Sequence, residues 1–196
     1  TLVLDEADHM FDMGFLPDIK RILRTLPERR QNLLFGATMP REISHLAREA
    51  LTDPATIKVD RTAPAETVSH ALYPVAQHQK LPMLKRLLED ADTGSVLVFT
   101  RTKHRARSLG ARLGKAGHRA SSLQGNLSQN QRRKAMDGFR DGTHRILVAT
   151  DIAARGLDIE RLPHVVNFEL PNVPEDYVHR IGRTGRAGSN GVALSL

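Results

Sequence analysis

The stretch Val96-Leu97-Val98-Phe99 constrains the fold more than any other part of this chain. Four consecutive apolar residues leave the strand no polar face. Such a strand is buried on both sides, as in a parallel sheet with helices packed above and below. The surrounding chain follows the same rule. Strand-like runs fall near Val68–Val75, Ser95–Thr100, His118–Leu123, Arg145–Thr150, His164–Glu169 and Gly191–Leu196. Helical spacing fills the gaps, at Gln79–Ala91, Thr102–Lys115, Ser128–Arg140 and Pro174–Arg183. Strand–helix alternation predicts an α/β fold with a mostly parallel sheet. The stripes Leu81, Leu84, Leu87 and Leu88, then Leu109 and Leu113, then Met136 and Phe139 are packing positions.

The first 66 residues read as a second, shorter piece of the same kind. Strands are expected at Thr1–Leu4, Gln31–Phe35 and Thr56–Val59. Met10–Phe15 reads as a turn. Ile19, Ile22, Leu23 and Leu26 form a helical core stripe that Pro27 ends. Pro40 suits the first turn of a helix whose buried face is Ile43, Leu46, Ala47, Ala50 and Leu51. Asp60–Glu66 is polar and contains Pro64, so it reads as a linker. The expected organisation is therefore a domain over 1–59, a linker over 60–66 and a domain over 67–196. Both ends of the chain fall within expected strands, so the protein is expected to continue past each.

Charge supports that division. Residues 1–66 hold 9 Lys+Arg and 11 Asp+Glu, and residues 67–196 hold 20 and 11, which together give the net charge of +7. A basic second part fits a polyanionic partner such as nucleic acid. Aromatics make up 4% of the chain with no Trp, so base stacking is not the expected mode of binding. The absence of Cys excludes disulfides and thiolate metal sites. No apolar run reaches membrane-spanning length, and a reducing, cytoplasmic setting fits.

Five stretches carry chemistry. Val3-Leu4-Asp5-Glu6-Ala7-Asp8 is an apolar strand ending in carboxylates, at the sheet edge where α/β folds place ligands. One carboxylate can hold Mg²⁺ and another can orient a water. Thr100-Arg101-Thr102-Lys103 combines hydroxyls, cations and a helix start, which suits a phosphate or simply caps the helix. Gly125 to Arg132 offers Ser128 as an N-cap and Gln129 and Arg132 one turn apart. Thr150 to Asp158 is a loop of small residues in which Gly156 permits close approach and Asp158 can accept from ribose hydroxyls. Finally, His179-Arg180-Ile181-Gly182-Arg183-Thr184-Gly185-Arg186 sets arginines three apart, with Arg180 and Arg183 on one helical face and Gly185 as the stop. Guanidinium forks suit phosphate, although a solvated basic helix would read the same way.

Taken together, these stretches resemble the motifs of DEAD-box RNA helicases of superfamily 2. Val3–Asp8 resembles motif II, Gly36-Ala37-Thr38 motif III, Val98–Arg101 motif IV, Ala149–Asp158 motif V and His179–Arg186 motif VI, while Gln129 with Arg132 matches the Gln-x-x-Arg motif. The wording of Val96–Lys103 and of Pro163–Gly188 is most similar to bacterial RhlE-type members. The resemblance implies a partial first RecA-like domain and a nearly complete second (helicase C-terminal) domain, closing on ATP, Mg²⁺ and RNA. It implies that Asp5, with Glu6 beside it, faces Mg²⁺ and that Glu6 positions the hydrolytic water. Asp8, Thr38, His179 and Arg180 would couple the domains. Gly156 and Asp158 would meet the nucleotide, with Arg183 and Arg186 as arginine fingers. Thr100, Arg101, Gly125, Gln129, Arg132 and Thr150 would follow the RNA backbone, so sequence preference should be low.

The chain departs from the pattern in two ways. Gly36 stands where motif III usually begins with Ser, which removes a hydroxyl. No Gly-x-x-x-x-Gly-Lys-[Ser/Thr] occurs in the 196 residues, nor the adenine-reading Gln motif. Without a phosphate loop, little turnover is expected from these residues alone. Three readings therefore stand: part of an ATP-dependent RNA helicase, a non-catalytic RNA-binding module, or a RecA-like ATPase acting on DNA.

Overall fold

The computed structural model describes residues 1–12, 14–36, 38–39, 41–58, 67–90, 94–155, 159, 162–185 and 190–196. The chain divides into two compact units, Thr1–Asp60 and Arg61–Leu196. The expected linker at 60–66 lies outside the described residues.

In the first unit, β1 (Leu2–Leu4) pairs in parallel with β2 (Asn32–Leu34), Leu4 opposite Leu34. Helices α1 (Ala7–Asp12), α2 (Leu16–Leu23) and α3 (Arg41–Ala50) complete it. Leu4, Ile19, Leu46 and Ala50 form its core. Three expectations need correction. Residues 7–12 are helical where a turn was expected from Met10. Ile22 is 55% exposed, so the α2 stripe is narrower than its spacing implied. Residues 56–58 form no strand.

The second unit is a six-stranded sheet in which every pairing is parallel. Its strands are β3 (Val68–Leu72), β4 (Val96–Phe99), β5 (Ala120–Leu123), β6 (Ile146–Ala149), β7 (His164–Asn167) and β8 (Gly191–Ser195), in the order β3-β8-β7-β4-β6-β5. All four residues of β4 and all four of β6 are buried, as their apolar sequences require. Side chains alternate between faces. Leu97 and Phe99 join one core with Met136 and Phe139 of α6 (Gln129–Arg140). Val96 and Val98 join another with Leu84 and Leu88 of α4 (Lys80–Asp90) and Leu109 and Leu113 of α5 (Lys103–Lys115).

The helix starts are built from their own sequences. Thr102 caps α5 by accepting the Arg105 N–H. Ser128 and Gln131 form a reciprocal capping box on α6. Two further helices, α7 (Asp151–Ala154) and α8 (Pro174–Ile181), follow β6 and β7. The first replaces the loop expected after Thr150. The second ends at Ile181, with Gly182 as its C-cap, so Arg183 lies past the helix rather than on a face shared with Arg180. Gly185 takes φ +67°, and a Cβ there would press on Val68. It serves this crossing and does not stop the helix. Among the described residues, no helix is long and apolar enough to cross a membrane.

Candidate nucleotide and nucleic-acid site

In the first unit, β1 delivers Asp5 and Glu6 at its carboxyl end. Asp5 is exposed, Glu6 half-buried, and the Asp5 carboxylate accepts the Glu6 N–H at 2.9 Å. Glu6 itself has φ +51°, a left-handed conformation unfavourable for a residue with a Cβ. The Ala7 N–H then bonds the Phe35 carbonyl at 2.9 Å, which pins the turn to the neighbouring strand end. Asp8 is buried. Its Oδ2 accepts both the Thr38 N–H at 2.9 Å and the Thr38 hydroxyl at 2.8 Å. Motif II is thus tied to motif III within one unit. Gly36 borders this contact, since a Cβ there would stand 3.3 Å from the Asp8 carboxylate.

Among the described residues, no three or more His, Asp or Glu side chains gather as a metal cage. Asp5 and Glu6 still fit Mg²⁺. That ion keeps several waters and takes one or two carboxylates, with substrate phosphates supplying the rest.

In the second unit, the chain passes from β6 on one side of β4 to β7 on the other. The ends of these three strands therefore flank a topological switch point, where ligands bind in open α/β sheets. Arg180 of α8 fills that point and is 2% exposed. It donates two parallel bonds to Asp151, at 2.5 and 2.8 Å. Its Nη1 donates to the Asn167 side chain at 3.0 Å and to the Glu169 carbonyl at 2.6 Å. The guanidinium also lies 5.0 Å from the centre of the Phe99 ring. One side chain thereby clamps motifs IV, V and VI together. These described contacts of Arg180 all fall inside the second unit, where its charge and hydrogen bonds are used.

Arg183 follows in the turn. Its N–H donates to the Arg180 carbonyl at 3.2 Å, and its own carbonyl accepts the Leu162 N–H at 3.1 Å. The backbone carrying this arginine is fixed at both ends. Arg183, His179, Asp176 and Arg155 line a cleft whose floor includes Phe99 and Asp151. Arg155 and Asp176 pair across it at 3.1 Å. Gly156, Asp158 and Arg186 lie outside the described residues.

The loop after β4 is organised by a residue that the sequence did not single out. Glu169, 1% exposed, accepts the Arg101 N–H at 2.9 Å and pairs with Arg105. Lys80 joins this edge, donating to the Phe168 and Leu196 carbonyls at 3.2 and 2.7 Å. Burial, then the charges of Arg101 and Arg105, lower the Lys80 pKa. Of the expected RNA contacts, Arg101, Gly125 and Gln129 are exposed. Thr100 is fully buried, its N–H on the Ala149 carbonyl, so it closes the strand end and presents no surface to a ligand. Thr150 is nearly buried as the N-cap of α7, and Arg132 reaches back to the Ala153 carbonyl at 3.3 Å. Asn167 and Glu169 were missed because nothing local marks them, and Phe99 and Asp151, though inside motif stretches, were not singled out as site residues. Their common partner is Arg180 or the β4 loop, far away in sequence.

A wholly parallel, doubly covered sheet with an arginine centre at its carboxyl edge is a RecA-like arrangement. Comparison with known proteins narrows the class. The helicase conserved C-terminal domain matches residues 79–188, and the DEAD/DEAH box helicase family matches residues 1–46. The chain belongs to the DEAD-box helicase family. It is 44% identical over its whole length to the ATP-dependent RNA helicase RhlB of Pseudomonas syringae pv. tomato, covering 50% of that protein. It is 50% identical, again over its whole length, to the RNA helicase CrhR of Synechocystis, covering 40% of it. The chain thus spans half or less of these curated relatives. Among solved structures, S. cerevisiae Dbp5 bound to RNA and ADP BeF3 matches 98% of this chain and 52% of its own, with TM-score 0.88 and 34% identity. A DEAD box protein from Methanococcus jannaschii matches 98% of this chain and 52% of its own, with TM-score 0.62 and 40% identity.

Proposed function

We propose that these residues serve an ATP-dependent RNA helicase, in which ATP hydrolysis is coupled to RNA binding and local duplex separation. The likeness to Dbp5 bound to RNA and ADP BeF3, over 98% of the chain, is the observation that carries this reading. In it, the Glu6 carboxylate orients the attacking water and draws off its proton. Asp5, with Glu6 beside it, would hold Mg²⁺, and the ion would supply positive charge against that of the phosphates. Arg183, on its doubly fixed turn, donates to the terminal phosphate, and Arg186 acts beside it. Gly156 and Asp158 meet the nucleotide. Asp8 and Thr38 relay closure, with His179. Arg101, Gly125, Gln129, Arg132 and Thr150 define the path of the RNA backbone, which the buried Thr100 supports from beneath.

The test is RNA-stimulated ATP hydrolysis, measured on these 196 residues and on the same residues joined to a segment carrying the Gly-x-x-x-x-Gly-Lys loop. Activity is expected in the joined chain, falling by about 10²–10⁴ with Glu6→Gln. RNA binding without hydrolysis in the joined chain would overturn the enzyme reading and leave an RNA-binding module. Equal stimulation by DNA would overturn the choice of RNA.

A further inference from the structure

The positive charge of the second unit is concentrated in one stretch. Residues 93–136 carry ten Lys+Arg and no Asp or Glu, whereas the rest of 67–196 carries ten and eleven. The excess of that unit therefore belongs to this stretch. Its centre is α5, with five Lys+Arg and no acid in 13 residues.

The helix presents these charges in an ordered way. Ala106, Leu109, Gly110 and Leu113 are buried against the sheet. Lys103, Arg107, Arg112 and Lys115 are all exposed, spread over the opposite side and its flanks. Arg105 pairs with Glu169. Those other four make no ion pair or side-chain hydrogen bond with any described residue. Four cations on one helix repel one another, and a polyanion laid along them offsets that cost and displaces their counterions.

The helix also begins in the right place. Its N-cap Thr102 follows Arg101 at the carboxyl edge of β4, the edge given above to the RNA path. Because β4 and β5 both run parallel to β6, α5 carries the chain back toward the opposite edge. A row of cations about 20 Å long thus leads away from that path down the outside of the unit.

We propose that the outer side of α5 is a second, sequence-neutral RNA surface, which holds the backbone of RNA extending beyond the central path. This rests on the RNA reading above. No Phe, Tyr or Trp lies on α5, so contact is mainly with phosphates and not by base stacking. The same charges would serve an acidic protein less well. Between these cations the only apolar side chain on the exposed side is the single methyl of Ala111, too little for a protein interface core to bury.

The test uses the whole chain, the triple variant Arg107→Gln, Arg112→Gln, Lys115→Gln, and single-stranded RNA of two lengths. One, of about six nucleotides, fills only a central path; the other, of about twenty-five, extends well past it. Binding is followed against salt. For the long RNA the log–log slope is expected to fall by about 2 in the variant, near 0.7 per phosphate released. For the short RNA it stays unchanged. The Lys-for-Arg version at 107 and 112, with Lys115 kept, restores the wild-type slope, and an unchanged thermal midpoint shows that the fold is intact. An unchanged slope with long RNA, or an equal fall with both lengths, would overturn the proposal while leaving the central path intact. Failure of the wild-type chain to bind either RNA would instead overturn the RNA reading beneath it.

Discussion

Asp5 and Glu6 end a three-residue strand in a two-stranded sheet, and both keep some contact with solvent. Arg180 lies at the edge of a six-stranded sheet, almost wholly buried, with four hydrogen bonds and an aromatic ring beneath it. Both belong to motifs of one family, yet they handle charge in opposite ways. The carboxylates keep oxygen atoms available and tolerate a strained backbone. The arginine gives up its availability to fix the positions of others. A charged residue in a catalytic motif is thus not necessarily a group that touches the substrate. Arg183, three residues on, inherits its position from Arg180 through the bond between their backbones.

The largest expected effect that separates these roles is on Arg180. Arg180→Ala leaves Asp151 without its bidentate partner and Glu169 without a donor to its carbonyl. It should cost about 3–5 kcal/mol in the second unit, read as the urea midpoint. Arg183→Ala should change stability by under about 1 kcal/mol while lowering ATP hydrolysis in the joined chain by about 10³ or more. Comparable stability losses from the two would erase the distinction.

Asp8 tests the same contrast in the first unit, where it is the buried member of motif II. Asp8→Ala removes the acceptor of two Thr38 bonds and should destabilise that unit by about 1–3 kcal/mol, followed by its thermal midpoint. Glu6→Gly should do the reverse. Relief of the left-handed strain, about 1–2 kcal/mol, outweighs the extra chain entropy of glycine, leaving a gain of about 0.5–1 kcal/mol as activity disappears. A loss of stability with Glu6→Gly would mean that the carboxylate has a structural role as well.

The smallest effect is on pH dependence. His164 opens β7, and burial, with the charge of Arg145 beside it, lowers its pKa below the usual 6.5. The folded chain therefore binds fewer protons there than the unfolded one. Stability is full above pH 6.5 and declines as pH falls below it. His164→Gln should narrow the difference in thermal midpoint between about pH 7.5 and 5.5. An unchanged difference would place the acid sensitivity elsewhere.

Much of the fold was legible because its signals are local. Apolar runs marked β4 and β6, and helical stripes marked α4, α5 and α6. Ser128 marked a helix start, which the structure completes as a capping box through Gln131. Helix α7 escaped notice because four residues are too few to show a period. The end of α8 was misplaced by counting on to Gly185, whereas the chain turns at Gly182. The order and wording of the motifs also carried the family, since spacing along a chain survives without knowledge of its path.

The sequence alone determined the doubly buried strands, the charge division and which residues belong to motifs. Only the tertiary structure decided what those residues do to one another. Arg180 meets Asp151, Asn167, Glu169 and Phe99 because parallel crossovers bring the ends of β4, β6 and β7 to one edge. Burial there makes each unpaired polar group costly, so the arginine that reads in sequence as a phosphate ligand is held by hydrogen bonds within its own unit.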